Sequence, residues 1–341
     1  MTVAGMDNGK KACTVAGLFL LSGRDRAHTQ TGTNRLAPSR FAGYTPPMFT
    51  YRITETDHCR RMENLLYNLL PAAPHGYLKQ LAKTGHLQVN GAPTSLDTLL
   101  RLGDAVTLKE SGRTRQLLAG SRPGLDILYE DQWLMVFNKE PGLPMHRAAE
   151  VDERNLVELG MKLVTERGGE GKLRPINRLD RGTSGVVMLA KSSASAAMFG
   201  QMLQEEGLDK LYLAVVAGKP APTGSISAAL EGKEAETRFR VLFQGKGIAF
   251  VAVWPVTGRM HQIRQHFKIT GHPIRGDKRY GGGTLPEYPG HLLHSFRTTF
   301  VHPSTGTRLT LHAPLPAGFI AQLRLMAGDM LAPLLRELPE L

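Results

Sequence analysis

Residues 174–191 read Arg-Pro-Ile-Asn-Arg-Leu-Asp-Arg-Gly-Thr-Ser-Gly-Val-Val-Met-Leu-Ala-Lys and set one carboxylate, Asp180, between Arg178 and Arg181. Positive charge on both sides favours the ionised carboxylate. An acid held in that form suits a nucleophile or an electrostatic stabiliser better than a general acid. The same spacing also fits a loop acid in a surface ion pair. Gly182 and Gly185 permit a tight backbone, and 186–190 then reads as a buried strand.

Two further stretches set polar side chains within apolar patterns, which by spacing alone also fit a core tyrosine and a solvated basic face. Residues 210–218 have the apolar density of a buried strand, in which period two sets Tyr212 opposite Leu211 and Leu213. Over residues 257–268, helical spacing puts Met260, Ile263 and Phe267 on one apolar stripe and His261, Arg264 and Lys268 on a separate face. His261, His266 and His272 are close in sequence but lack metal-binding spacing, so no metal is expected.

The elements that must hold these groups follow from pattern. At 341 residues and 41% hydrophobic content, the chain has room for two domains and a real core. Its 42 basic against 30 acidic residues give a formal charge of +12, which points to a polyanionic partner. Two cysteines, Cys13 and Cys59, make no disulfide framework, as expected for a reducing cytoplasm. The apolar run 12–21 is too short to span a bilayer. Residues 1–47 show no sustained periodicity and read as a disordered or mis-started extension, with Met48 as a candidate start.

Beyond it, Met62, Leu65, Leu66, Leu69 and Leu70 form the stripe of one amphipathic helix. A second, over 75–84, buries Leu78 and Leu81 and leaves Lys79 and Lys83 to solvent. Strands at 87–89 and 105–108 flank the turn signal Asn90-Gly91. A linker over 111–124 precedes strands at 125–129 and 133–138, a helix at 193–206, strands at 248–254, 298–301 and 308–312, and a helical cover over 319–338 broken near Pro333. The fold class expected is α+β.

The segment around Asp180 resembles the signature of the RluA-type pseudouridine synthases, His-Arg-Leu-Asp-x-x-Thr-Ser-Gly followed by an apolar strand ending Ala-Lys. Arg178, Leu179, Asp180, Thr183, Ser184, Gly185, Ala190 and Lys191 match, and Asn177 stands where the family usually has His. Lys210-x-Tyr212-x-Ala, Thr257-Gly-Arg-Met-His-Gln-Ile-Arg264 and the Gly-Asp-x-x-Tyr-Gly run ending at Gly281 are similar to further motifs of the same family. The resemblance covers residues 125 to about 316. It implies a mixed, largely antiparallel sheet with flanking helices over 125–341, and conversion of uridine to pseudouridine in structured RNA. Neither cofactor nor metal is implied.

By the same resemblance Asp180 is the catalytic carboxylate, Tyr212 an aromatic that stacks on the target base or transfers a proton, and Arg264 the basic partner of Asp180, with Arg259 as the alternative partner. Arg178, Arg181, Arg259 and Lys268 are expected to contact RNA, and apolar residues such as 186–189 to wall a dry pocket. Residues 48–110 resemble the small RNA-binding domain of ribosomal protein S-four, which implies phosphate contacts from Arg60, Arg61, Lys79 and Lys83. Large-subunit ribosomal RNA is the partner expected by analogy, with transfer RNA as an alternative, and no membrane or obligatory protein partner is expected. Two other classes remain open: a catalytically silent RNA-binding or ribosome-assembly protein, and a carboxylate glycosidase. The last normally needs paired acids, and one convincing carboxylate is present.

Overall fold

The computed structural model describes residues 48–70, 73–118, 125–147 and 154–341. The expected extension 1–47 and residues 119–124 of the expected linker lie outside them. The described chain opens with β1 (Met48–Arg52), followed by α1 (Met62–Leu69) and α2 (His75–Lys83). The apolar stripe of α1 is buried, as are Leu78 and Leu81 of α2, while Lys79 and Lys83 are exposed.

After β2 (Leu87–Val89), Asn90 and Gly91 adopt φ of 51° and 82°. These are the two left-handed conformations that a two-residue hairpin turn needs to reach β3 (Ala92–Pro93). With β4 (Ala105–Lys109) they complete a four-stranded sheet of order β1-β4-β2-β3. A short helix, α3 (Gly112–Leu118), occupies the first half of the expected linker.

The larger sheet begins with β5 (Asp126–Glu130) and β6 (Leu134–Lys139). It continues through α4 (Leu156–Glu166), β7 (Arg174–Pro175), β8 (Ser184–Ala190) and α5 (Ser193–Glu205). Next come β9 (Asp209–Ala217), β10 (Thr223–Ser227), β11 (Glu236–Gly245), β12 (Ile248–Pro255) and α6 (Gln262–Ile269). Then β13 (Leu293–Val301), β14 (Arg308–His312), α7 (Ala317–Ala327) and α8 (Leu331–Glu337) close the chain. The strand order is β10-β11-β12-β9-β13-β8-β6-β5, with β14 on β13 and β7 on β8. Every pairing is antiparallel except β13 with β8.

Both faces of this sheet are covered, which is why β8 is apolar at successive positions and buried at all seven. Val187 and Leu189 join the core of α1 and α4; Val186 and Met188 join that of α5. In β9 the same alternation sends Leu211, Leu213 and Val215 to α7 and α8, and Ala214 and Val216 to α6, with Tyr212 packed on the α6 side. Where β8 meets β13, Gly185 has φ of 113°, and a Cβ there would lie 2.2 Å from the Ser295 carbonyl oxygen. Only glycine lets the two strands approach so closely.

The C-terminal cover breaks at Gly328, at φ of 53°, and not at Pro333. Pro333 falls in the first turn of α8, where no intrahelical N–H is needed. The stretch from α7 onward is apolar enough over 24 residues to span a membrane by composition. Phe319, Ile320, Leu323 and Leu331 account for that character by packing on the back of the sheet.

Two of the expected phosphate contacts are corrected. Arg60 is 8% exposed, and its guanidinium forks onto Asp126 at 2.5 and 2.9 Å. Asn68 and Asn138 also donate to Asp126, at 3.0 and 3.1 Å. Arg61 is committed to Asp97. Burying a cation is costly unless it is paired and hydrogen-bonded, so Arg60 is a fastener between α1 and β5, not a hand held out to RNA.

Arg60→Ala is expected to cost about 3 kcal/mol in urea denaturation, the lower end for a broken buried pair because Asp126 keeps two amide donors. A loss under about 1 kcal/mol would show that the pair fastens nothing.

Candidate active site

Asp180 stands on the loop between β7 and β8, and the loop is fixed by its own backbone. Lys139, at the end of β6, is fully buried, and its ammonium donates to the carbonyls of Glu140, Leu143 and Arg181 at 3.0, 2.8 and 3.1 Å. Burial pushes its pKa down to about 7, while Asp180 pulls the other way. Three carbonyl acceptors call for the three N–H groups of the charged form.

The Gly142 N–H also donates to the Arg181 carbonyl, at 2.8 Å, and Arg181 Nε returns a bond to the Gly142 carbonyl at 3.1 Å. On the other side, the Thr183 hydroxyl lies 2.7 Å from His291 Nε2, and Ser184 Oγ 2.8 Å from His294 Nδ1. His294 Nε2 donates to the Ala313 carbonyl at 2.9 Å, so its Nδ1 is the acceptor for Ser184. Burial lowers the pKa of His291 to about 4 and of His294 to about 3, which keeps both rings neutral.

Arg264 comes from the first turn of α6 and is 7% exposed. Its Nε and Nη2 grip both oxygens of Asp277 at 2.7 and 2.9 Å, and its Nη1 reaches Asp180 Oδ2 at 2.7 Å. Burial disfavours a charged Asp277, but the Arg264 fork overrides it and holds that carboxyl below the usual range. One guanidinium therefore serves two acids: Asp277, 1% exposed, orients it, and Asp180, 28% exposed at its side chain, faces the open cleft.

His261 stands beside them, its Nε2 3.5 Å from Asp180 Oδ1 and its Nδ1 2.9 Å from the Tyr280 hydroxyl. It caps α6 in the left-handed conformation, at φ of 52°, which turns its ring toward the acid. Burial lowers its pKa, and the nearby Asp180 opposes that effect. Arg264, Arg279 and Lys268 gather over the Tyr280 ring at 4.9, 5.6 and 5.9 Å.

The cleft in front of Asp180 encloses about 760 Å³, within the range of small-ligand sites. Tyr212, Lys210, Leu208 and Leu293 line it beside Asp180, with Arg178 and Arg259 exposed at its edges. Burial pushes the Tyr212 pKa up to about 12, so the phenol keeps its proton near neutrality. Residues 186–189 do not wall the cleft; they are core, and Ile176, Leu179, Leu203, Leu208 and Leu293 are among the residues of its apolar lining.

Asn177 spends both ends of its amide on β8, donating to Val186 O at 3.2 Å and accepting from Met188 N at 2.7 Å. It extends the strand's ladder where the backbone turns away. Lys268 is exposed beside Tyr280, and Arg181 is exposed with its Nε on the Gly142 carbonyl. The three clustered histidines do not converge: His266 bonds Thr237 and Ala228, His272 bonds the Ala217 carbonyl, and His261 faces Asp180.

Sequence reasoning brought Asp180, Arg264 and Tyr212 to one place; it set His261 on the Arg264 face without a role and gave none to Asp277 or Lys139. His261 and Asp277 lie inside the matched motifs, so their position in sequence was a usable signal. Lys139 also lies in a stretch similar to the family's opening motif, but nothing local announces that its ammonium meets three carbonyls.

Comparison with known proteins bears on this geometry. Residues 133–268, which include Asp180, Tyr212 and Arg264, match the RNA pseudouridylate synthase family. The chain is 31% identical over 291 residues to the ribosomal large subunit pseudouridine synthase C of Buchnera aphidicola, spanning 76% of this chain and 91% of that protein. It is 33% identical over 257 residues to the uncharacterized RNA pseudouridine synthase YlyB of Bacillus subtilis, spanning 70% and 85%. With the synthase C of Escherichia coli K12 it shares 31% over 307 residues, spanning 80% and 95%. Family match, relatives and shared motifs together make this chain a member of the RluA-type RNA pseudouridine synthases.

Proposed function

We propose that this enzyme isomerises uridine in large-subunit ribosomal RNA and that Asp180 is the carboxylate that acts on the target nucleotide. The observation that carries the reading is the Asp180–Arg264 pair at 2.7 Å, with the carboxylate facing a nucleotide-sized cleft. The names of the synthase C relatives support the ribosomal target. The reaction breaks the bond from the sugar to ring nitrogen N1 and forms one to ring carbon C5. The C5 proton is released and N1 gains one, so no redox partner is needed.

A base within a stack cannot reach Asp180, so the nucleotide must flip into the cleft. Tyr212, protonated near neutrality, suits stacking and hydrogen-bond donation more than base catalysis. Arg178 and Arg259 at the edges suit the flanking phosphates. We assign residues 48–110 the S-four-like RNA-binding role, with phosphate contacts from Lys79 and Lys83 on the exposed side of α2. Residues 125–341 are then the catalytic part.

Three measurements follow. Tritium at ring carbon C5 of uridine in a bacterial large-subunit ribosomal RNA transcript should be released by the wild type without free uracil, and Asp180→Asn should lower the rate about a thousandfold or more. Free uracil would indicate a glycosidase, and tight binding without release a silent RNA-binding protein. Asp277→Asn, which keeps the shape but weakens the grip on Arg264, should lower kcat about a hundredfold with little change in RNA affinity. Lys79→Ala with Lys83→Ala should reduce the salt slope of RNA binding by about two and leave kcat at saturation unchanged; an unaltered slope would remove α2 from the interface.

A further inference from the structure

Helical spacing assigns Met260 to the apolar stripe of α6, with Ile263 and Phe267. The structure buries those two and leaves Met260 outside the helix, 59% exposed. Val256, 52% exposed, lies on the same segment, and both line the cleft. Among the described residues five large apolar side chains are more than half exposed, so the presence of two on one lip of the cleft is a concentration.

The lip is rigid. Gln262, 4% exposed, accepts from Thr257 Oγ1 at 2.6 Å and from the Arg259 N–H at 3.0 Å, and donates to the Glu236 carbonyl at 2.8 Å and Thr237 Oγ1 at 3.0 Å. Arg259 Nε holds the Glu234 carbonyl at 3.0 Å, and Gln265 Nε2 holds that of Met260 at 2.8 Å. The backbone of Met260 is pinned while its side chain stands in solvent. Its chain neighbours are Arg259, a cation open to a phosphate, and His261, 3.5 Å from Asp180.

A nucleotide at Asp180 occupies the cleft that this lip lines, and its departure from the stack uncovers an apolar ring face on each flanking base. We propose that Met260, supported by Val256, is a wedge that packs against the base left unstacked beside the flipped uridine, and so stabilises the opened RNA. Apolar side chains held at a nucleic-acid surface stabilise unstacked steps in this way. An unbranched thioether adapts to either a purine or a pyrimidine face. The wedge adds a positioning residue to the reaction proposed above and rests on that reading.

The test compares a folded large-subunit ribosomal RNA transcript with a short unpaired oligonucleotide spanning the modified uridine. Met260→Ala should lower tritium release from the folded transcript about tenfold and change the oligonucleotide rate less than about twofold, because an unpaired base needs no help to leave a stack. Met260→Leu should restore most of the loss. Equal losses on both RNAs, or none on the folded one, would overturn the wedge. Filter binding gives an arm independent of turnover: Met260→Ala should weaken retention of the folded transcript and not of its fragmented, unpaired form, and equal effects would again overturn it. Absence of release by the wild type, with this binding difference intact, would count against the synthase reading and not against the wedge.

Discussion

A single guanidinium shared between two carboxylates governs this site. Arg264 is nearly sealed from water, and a buried cation is tolerable only when its donors are used. Asp277 takes two of them in a planar fork and thereby fixes the plane of the third, which meets Asp180. The acid facing the cleft is thus aimed by an acid that faces none. Asp277 also caps the short helical turn 278–280, at 3.3 Å to the Tyr280 N–H, and that turn carries the ring on which Arg264 rests. Orientation of the site is therefore spread over segments far apart in sequence but joined by one planar cation.

The other half of the geometry is the loop that carries Asp180. It enters a fully buried strand, and it is clamped at Arg181 by Lys139 and beyond Asp180 by the pairs Thr183–His291 and Ser184–His294. Rings kept neutral by burial serve here as rigid hydrogen-bonding spacers. The sheet makes this possible because helices cover both of its faces, leaving the strand ends at the cleft as the natural place for an open polar group.

Much of this was legible in the residues. Helical spacing marked α1 and α2, and unbroken apolar runs marked β8 and β9 as strands buried on both faces. The order of the motifs then located Asp180, Arg264 and Tyr212. What failed was any inference that equated charge with exposure. Arg60 and Arg61 are positive in a basic chain, and nothing near them in sequence announces Asp126, 66 positions on, or Asp97. Met260 failed in the opposite sense: it fits a helical stripe, but the left-handed residue at 261 starts the helix after it and turns it outward. Long-range partners and single backbone reversals leave no periodic trace.

The junction of Arg60 with Asp126 has one more consequence. It fastens α1 to β5, and Arg101 adds a contact to Glu340 at 2.6 Å near the chain's end. The lysines of α2 are thereby held at a set distance from Asp180. The offset between the lysines of α2 and the cleft is therefore a property of one packed core, in which Leu78 and Leu81 share neighbours with Ile127 of β5.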